Sequence, residues 1–416
     1  LDAQSESRLK QLQHTYATYK QENLKLDMSR GKPSPEQLDL SNAMLDYPSS
    51  KDAMVTESGV DIRNYGGLDG LPEMKKLFAD LLSVTTDEVI VGGNSSLTLM
   101  HDTIARALLH GVRGSNAPWG QQKVKFICPT PGYDRHFSIC EHFGIEMIPV
   151  DMTDDGPDMA AVESLVAEDE TIKGIWCVPK YSNPTGSVFS DEVIERLAKM
   201  ETKAPDFRIL WDNAYIVHYL TDRPATFNNI FTACEANGHS DRIFAFVSTS
   251  KISFAGAGIA ALAASKENID AIKKHLAMQT IGPDKINQVR HLHFFKDAEG
   301  VVQHMQKHAD ILKPKFDKVF EVFEEQLGGK DLATWSAPDG GYFISVDTLN
   351  DCAKEVVRLA KEAGVVLTNA GATFPYGKDP LDRNIRIAPS FPTVEELDKA
   401  MRVFCTCVEL VSLQKQ

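Results

Sequence analysis

The sequence predicts an α/β fold: a large domain on a mainly parallel sheet flanked by helices, joined to a smaller α+β domain. Three observations lead there. The chain has 416 residues, more than one ordinary core accommodates. From about Leu71 onward, short and almost wholly apolar segments alternate with helical patterns, as strands buried on both faces of a parallel sheet do. After about Asp297 the alternation gives way to a long helical stretch followed by short strands and helices, which reads as a separate α+β unit.

Taken in order, residues 5–22 read as a polar, amphipathic helix and residues 28–50, rich in Pro, Gly and Ser, as an extended segment. Strands are expected over 88–91, 124–129, 146–150, 174–179, 208–212 and 243–248, with a helix beginning near Leu97. A helix over 301–326 opens the second unit; strands over 342–347, 365–367 and 385–388 and helices over 352–363 and 394–411 complete it. The expected division is residues 1–50 packing with the small domain, 51–297 as the large domain and 298–416 as the small C-terminal domain.

Composition narrows the function. A formal net charge of −14 disfavours nucleic acid and anionic membranes. Seven scattered cysteines without a CxxC pair fit a reducing compartment better than a disulfide framework. No apolar run approaches a membrane span, and the first residues show no charged-then-apolar signal pattern, so a cytoplasmic location is expected.

In open α/β sheets ligands bind beyond the carboxyl ends of the strands. Asn94 to Ser96, Tyr133, Asn183, Asp212 and Lys251 each fall at or just past such an end. Lys251 closes Ser248-Thr249-Ser250-Lys251, and small residues (Ser253, Ala255, Gly256) follow it. A lysine that forms a Schiff base needs its pKa lowered by desolvation or neighbouring charge, and small flanking residues leave room for a cofactor whose phosphate Ser248 and Ser250 can meet. Asp212, in Trp211-Asp212-Asn213-Ala214-Tyr215, reads either as a helix N-cap or as a carboxylate that keeps a pyridine nitrogen protonated and the ring an electron sink. Tyr215 is then placed for a phenolic ring oxygen, as is Asn183 in the turn Asn183-Pro184-Thr185-Gly186. Ser95 and Ser96 at a strand-to-helix junction suit helix capping and anion binding equally. Tyr133 is either core packing or a ring that stacks on a planar ligand. Arg386, inside the apolar run Asn384-Ile385-Arg386-Ile387-Ala388, needs a partner, and either a structural ion pair or a substrate carboxylate supplies one.

As an ordered set, these segments resemble the fold-type I pyridoxal-phosphate aminotransferases. The closest likeness is to the aspartate aminotransferase subgroup, with Arg30-Gly31-Lys32-Pro33 and Ile281-Gly282-Pro283-Asp284-Lys285-Ile286-Asn287-Gln288 as further matches. The likeness runs from Gly31 to Arg386. It implies pyridoxal 5'-phosphate on Lys251, Asp212 at the pyridine nitrogen, Tyr215 and Asn183 at the ring oxygen, and Tyr133 stacked on the ring. Ser95, Ser96, Ser248 and Ser250 would contact the phosphate, and Arg386 the substrate α-carboxylate with Gly31 lining the same pocket. Tyr65 would reach the neighbouring subunit's phosphate, which implies a homodimer with shared sites. The implied reaction moves an amino group between L-aspartate and 2-oxoglutarate by a ping-pong route, and Arg30, Lys285 or Arg290 would meet the distal carboxylate. One departure stands out: many relatives carry Gly-x-Arg soon after the lysine, whereas this chain reads Gly256-Ala257-Gly258.

Other classes fit less well. Residues 256–261 satisfy G-x-G-x-x-A, but the preceding strand ends too early for a dinucleotide turn, which argues against a nicotinamide-dependent oxidoreductase. A DNA-binding regulator with an aminotransferase-like domain would need a basic helix-turn-helix, and no such segment precedes the large domain. His291 and His293 form the closest histidine pair in the sequence, too little for a metal enzyme. A β-lyase or decarboxylase using the same cofactor would need nearly the same residues.

Overall fold

A computed structural model describes residues 3–416. Its helices, in chain order, are α1 (Ala3–Gln21), α2 (Pro35–Asp39), α3 (Pro72–Leu82), α4 (Ser96–His110), α5 (Asp134–His142), α6 (Met159–Glu168), α7 (Asp191–Lys199), α8 (Ile230–Ala236), α9 (Lys266–Gln279), α10 (Lys285–Phe295), α11 (Ala298–Leu327), α12 (Ala353–Glu362) and α13 (Val394–Lys415). The strands are β1 (Leu26–Asp27), β2 (Val89–Val91), β3 (Lys125–Thr130), β4 (Glu146–Thr153), β5 (Gly156–Pro157), β6 (Ile172–Cys177), β7 (Arg208–Asp212), β8 (Ile243–Ser248), β9 (Ala260–Ala263), β10 (Ala333–Trp335), β11 (Ile344–Thr348), β12 (Val365–Val366) and β13 (Asn384–Ile387).

The large sheet has eight strands in the order β2-β9-β8-β7-β6-β3-β4-β5. Pairing is parallel from β8 through β7, β6 and β3 to β4, while β9 runs antiparallel to both β2 and β8. The predicted α/β class with a mainly parallel sheet is therefore present. Residues of β6, β7 and most of β8 are buried, because helices cover both faces, and this explains why these strands read as unbroken apolar runs. Strand order reverses between β3 and β6, the topological switch point at which such sheets bind ligands.

A second sheet, β10-β11-β13, is antiparallel. Its core joins α11, α12 and α13 to Leu12 and Tyr16 of α1 and to Met28, so the opening segment packs on the C-terminal elements. The parallel pair β1–β12 extends that connection. Helix α11 spans both cores: Val301 and Met305 pack under the large sheet, Leu312 to Phe323 with the C-terminal elements.

Two expectations need correction. Residues 28–50 are not simply extended: α2 and a 3-10 turn over Asn42–Asp46 interrupt them. The cause is a capping box, in which Ser34 Oγ accepts from Gln37 N while the Gln37 side chain accepts from Ser34 N, with Pro35 opening the helix. Strand β9 was not foreseen either. Its Ala-rich sequence has low strand propensity, and burial between β2 and β8 overrides that.

Candidate active site

Beyond the carboxyl ends of β7 and β8 and below the C-terminal sheet lies a cavity of about 650 Å³. Ser95, Ser96, Tyr133, Asn183, Asp212 and Tyr215 line it, as do Ser248, Ser250, Lys251, Arg386, Gly31 and Arg30. Nearly all the residues chosen from sequence therefore meet in one place, although they come from separate stretches of the chain.

Lys251 sits in the tight turn after β8, its ammonium 5.2 Å from the Tyr215 ring centroid and 5.7 Å from that of Tyr342. Burial lowers its pKa, Asp212 opposes that shift and Arg386 adds to it. An amine so treated is a better nucleophile than a surface lysine. Asp212 ends β7 and is followed by a turn rather than a helix, which removes the N-cap reading. Its Oδ2 lies 2.8 Å from His136 Nε2, and its Oδ1 is buried without a partner. Such an orphaned carboxylate oxygen is costly unless a donor arrives to meet it.

Arg386 on β13 is buried. Its Nη1 donates to Asp134 Oδ1 at 3.2 Å and Asn183 Oδ1 at 3.3 Å, its Nη2 to Ser29 O at 3.2 Å, and its Nε has no partner. The guanidinium also stacks at 4.5 Å on Phe343. Because Asn183 accepts through its oxygen, its NH2 stays a donor. Gly31 must be glycine here, since a Cβ would lie 2.4 Å from Phe343 Cζ.

Ser95 is the N-cap of α4, accepting from Leu97 N, so the capping role is real. Ser250 Oγ donates to Asn94 O at 3.4 Å and Ser248 Oγ to Ser250 Oγ at 3.2 Å. These hydroxyls and the start of α4 gather where an anion is stabilised by helix N–H groups. Gly258 is hemmed in: a Cβ would stand 3.0 Å from both Phe254 O and Thr249 Oγ1. Asn287 Nδ2 binds the carbonyls of Ala257 and Gly258.

Tyr65, Lys285 and Arg290 are not among the residues lining the cavity of this one chain. Tyr65 is 83% exposed. Lys285 Nζ donates to Asn64 O at 2.8 Å beneath it, and Arg290 donates to Tyr47 O and Asn287 Oδ1. His291, one of the pair weighed as metal ligands, instead faces Ser253 and Asn287, and His293 stacks on Tyr47.

Sequence reasoning missed His136 and His218. His136 stacks 4.2 Å from Trp176 and holds Asp212 in place; its position one helical turn past Tyr133 was the available signal. His218 is closed between Tyr215 and Tyr342, three residues beyond Tyr215 as Tyr215 is beyond Asp212.

Comparison with known proteins gives the class. The family model for aspartate amino-transferase matches residues 2–416, so the chain belongs to that family and is an aminotransferase. It is 49% identical over 396 residues to the aspartate aminotransferase of Corynebacterium glutamicum, covering 95% of this chain and 91% of that one. The crystal structure of an aspartate transaminase from the same organism superposes with a TM-score of 0.97 at 47% identity, covering 100% of this chain and 98% of that one. An α-aminoadipate aminotransferase of Thermus thermophilus, complexed with N-(5'-phosphopyridoxyl)-L-leucine, shares the fold at a TM-score of 0.75 and 18% identity, covering 94% and 93% of the two chains.

Proposed function

We propose that this aminotransferase uses pyridoxal 5'-phosphate held by Lys251 and moves an amino group between L-aspartate, or a similar amino acid, and 2-oxoglutarate. The observation that carries the proposal is the meeting of three groups in one cavity: an amine of lowered pKa on Lys251, an unpartnered carboxylate oxygen on Asp212 and a buried guanidinium on Arg386. The cofactor suits the donors present. The orphaned Asp212 Oδ1 answers a pyridinium N–H, the Asn183 NH2 and the Tyr215 hydroxyl answer a phenolic oxygen, and the hydroxyls of Ser95, Ser96, Ser248 and Ser250 with the start of α4 answer a phosphate. Tyr133, which lines the cavity, would stack on the ring.

When bound, the cofactor supplies an electron sink for the carbanion formed at the substrate α-carbon. The chain's own residues do the rest. Arg386 takes the α-carboxylate as a two-pronged donor, with Asn183 beside it. Gly31 keeps the floor of that pocket open, and Arg30 at the mouth takes the distal carboxylate. Lys251, which would hold the cofactor through Nζ, would with that same amine take the proton from the substrate α-carbon and hand it back two bonds away, on the far side of the amino nitrogen. Asp212 would meet the ring nitrogen through its unpartnered Oδ1 while His136 holds its Oδ2. The second half reverses these steps with a different oxo acid, which gives ping-pong kinetics.

The working unit is a homodimer. Exposed Tyr65, supported from below by Lys285, is the residue offered to a partner's phosphate. Light scattering of the purified protein and loss of phosphate affinity in Tyr65→Phe test this. The division into residues 1–50, 51–297 and 298–416 places the cavity between the large and small units. Seven buried free cysteines suit a reducing cytoplasm.

Absorbance tests the whole reading. With pyridoxal phosphate the protein should show a visible or near-ultraviolet band that L-aspartate shifts and 2-oxoglutarate restores, and Lys251→Ala should lose the cycle. No band with added cofactor sinks the proposal. A band that ignores L-aspartate but answers another amino acid overturns the substrate alone.

A further inference from the structure

We propose that three buried histidines, His291, His304 and His308, clamp the turn that carries Lys251 and so position its amine without touching the reacting atoms. The inference rests on the reading of Lys251 given above.

The clamp has two arms. On one side, Ile252 O accepts from His308 Nε2 at 2.9 Å and His304 Nε2 at 3.0 Å. These histidines stand one turn apart on the same face of α11. On the other side, Ser253 Oγ lies 2.7 Å from His291 Nε2 and 3.0 Å from Thr249 Oγ1. Lys251 lies between Thr249 and Ile252, so the turn is held on either side of it.

The tautomers follow from the bonds. Ser34 N donates to Gln37 Oε1 at 3.0 Å, which leaves the Gln37 NH2 facing His308 Nδ1 at 3.1 Å and Tyr342 OH at 2.8 Å. His308 Nδ1 must therefore accept, and its proton sits on Nε2, where Ile252 O needs it. Likewise His291 Nδ1 donates to Asn287 O at 2.8 Å, which leaves Nε2 to accept from Ser253. Tyr342 carries the same chain of bonds to the ring that faces Lys251 Nζ. The route thus joins α2, α11 and the segment leading into β11 to the lysine turn. Polar groups this buried would be costly if any link were missing, and the catalytic cavity uses none of these histidines.

Three variants test the clamp. His308→Leu removes the N–H, and His308→Gln returns an amide N–H near the same place. Gln37→Met removes the group that sets the tautomer and keeps every histidine, and it stands in should His308→Leu not fold. Two quantities are measured on the full chain: amide hydrogen exchange over residues 249–254, and capture of pyridoxal phosphate by Lys251 in the cofactor-free protein, trapped with borohydride and read by peptide mass. In His308→Leu, exchange over the turn should quicken about tenfold. Capture and kcat should fall about tenfold, with KM within about twofold, as for other groups that orient a reacting residue from behind. His308→Gln should recover most of each loss. Unchanged exchange in both His308→Leu and Gln37→Met overturns the clamp, and faster exchange with unaltered capture and kcat overturns its role in positioning. A wild-type chain whose Lys251 captures nothing, while exchange still responds to His308→Leu, sinks the proposed function and the positioning role but leaves the clamp standing.

Discussion

Arg386 illustrates how residue type and residue placement carry different information. Its chemistry was legible in the sequence, because an arginine in an apolar strand must find an acceptor. Its neighbour Asp134 was not, because only the fold brings residues so distant in sequence to 3.2 Å. Asp134 keeps about a third of its side chain in solvent, so it can release Arg386 and turn outward. An incoming α-carboxylate then competes with it for the same guanidinium. Asp134→Asn should therefore lower KM for both the amino acid and the oxo acid about two- to fivefold, the worth of a partly exposed ion pair, with kcat little changed; steady-state kinetics decide this, and a raised KM would show that Asp134 supports Arg386 instead. Gly258 gives a second residue-level prediction. Restoring the relatives' arginine as Gly258→Arg should cost about 1–3 kcal/mol in overpacking, because its first side-chain carbon meets Phe254 O and Thr249 Oγ1 at 3.0 Å. Denaturant unfolding would register the loss, and cofactor titration should find no gain in affinity. His136 escaped notice because its place one helical turn past Tyr133 is a weak signal by itself; Asp212 beside it gives it a function.

Secondary structure was readable where burial and propensity agree. Strands β7 and β8 begin and end as their apolar runs suggest, since all-round burial needs no alternation to show itself. Strand β9 and helix α2 were lost for opposite reasons. The alanines of β9 carry no strand signal, so tertiary pairing alone makes the strand. Helix α2 did carry a signal, Ser34 followed three residues later by Gln37, but at five residues it is too short for periodicity to reveal. Its stability then rests on its cap. Ser34→Ala should cost about 1 kcal/mol and lower the denaturant midpoint accordingly. If the cap also orients Gln37 for His308, the same variant should quicken amide exchange over the lysine turn, which an isolated loss of helix stability would not do.

For the whole molecule, buried histidines make stability depend on pH in a window of their own. His291 and His308 are both almost wholly buried, and desolvation pushes each from 6.5 to about 4. In the unfolded chain they take up protons first as pH falls, so the native state is at its full advantage above about pH 6.5 and loses ground down to about pH 4, with no further loss from these groups below that. A shift of this size corresponds to roughly 3 kcal/mol from each residue. Carboxylates act elsewhere: Asp169, hydrogen-bonded to Lys125 and Thr171, is held at about 2 against 3.8, so its share of stability disappears only below about pH 4. Urea unfolding of the cofactor-free protein, at one fixed protein concentration because dimerisation adds its own stability, should therefore show a midpoint that drops steeply between pH 6.5 and 4. His308→Gln, which cannot titrate, should flatten part of that slope, since burial lowers His291, His218 and His304 as well, while leaving the fall below pH 4 intact. A wild-type midpoint level across pH 6.5 to 4 would mean that the two imidazoles are hydrated in solution, and the interior around α11 would then be open to water rather than sealed against the lysine turn.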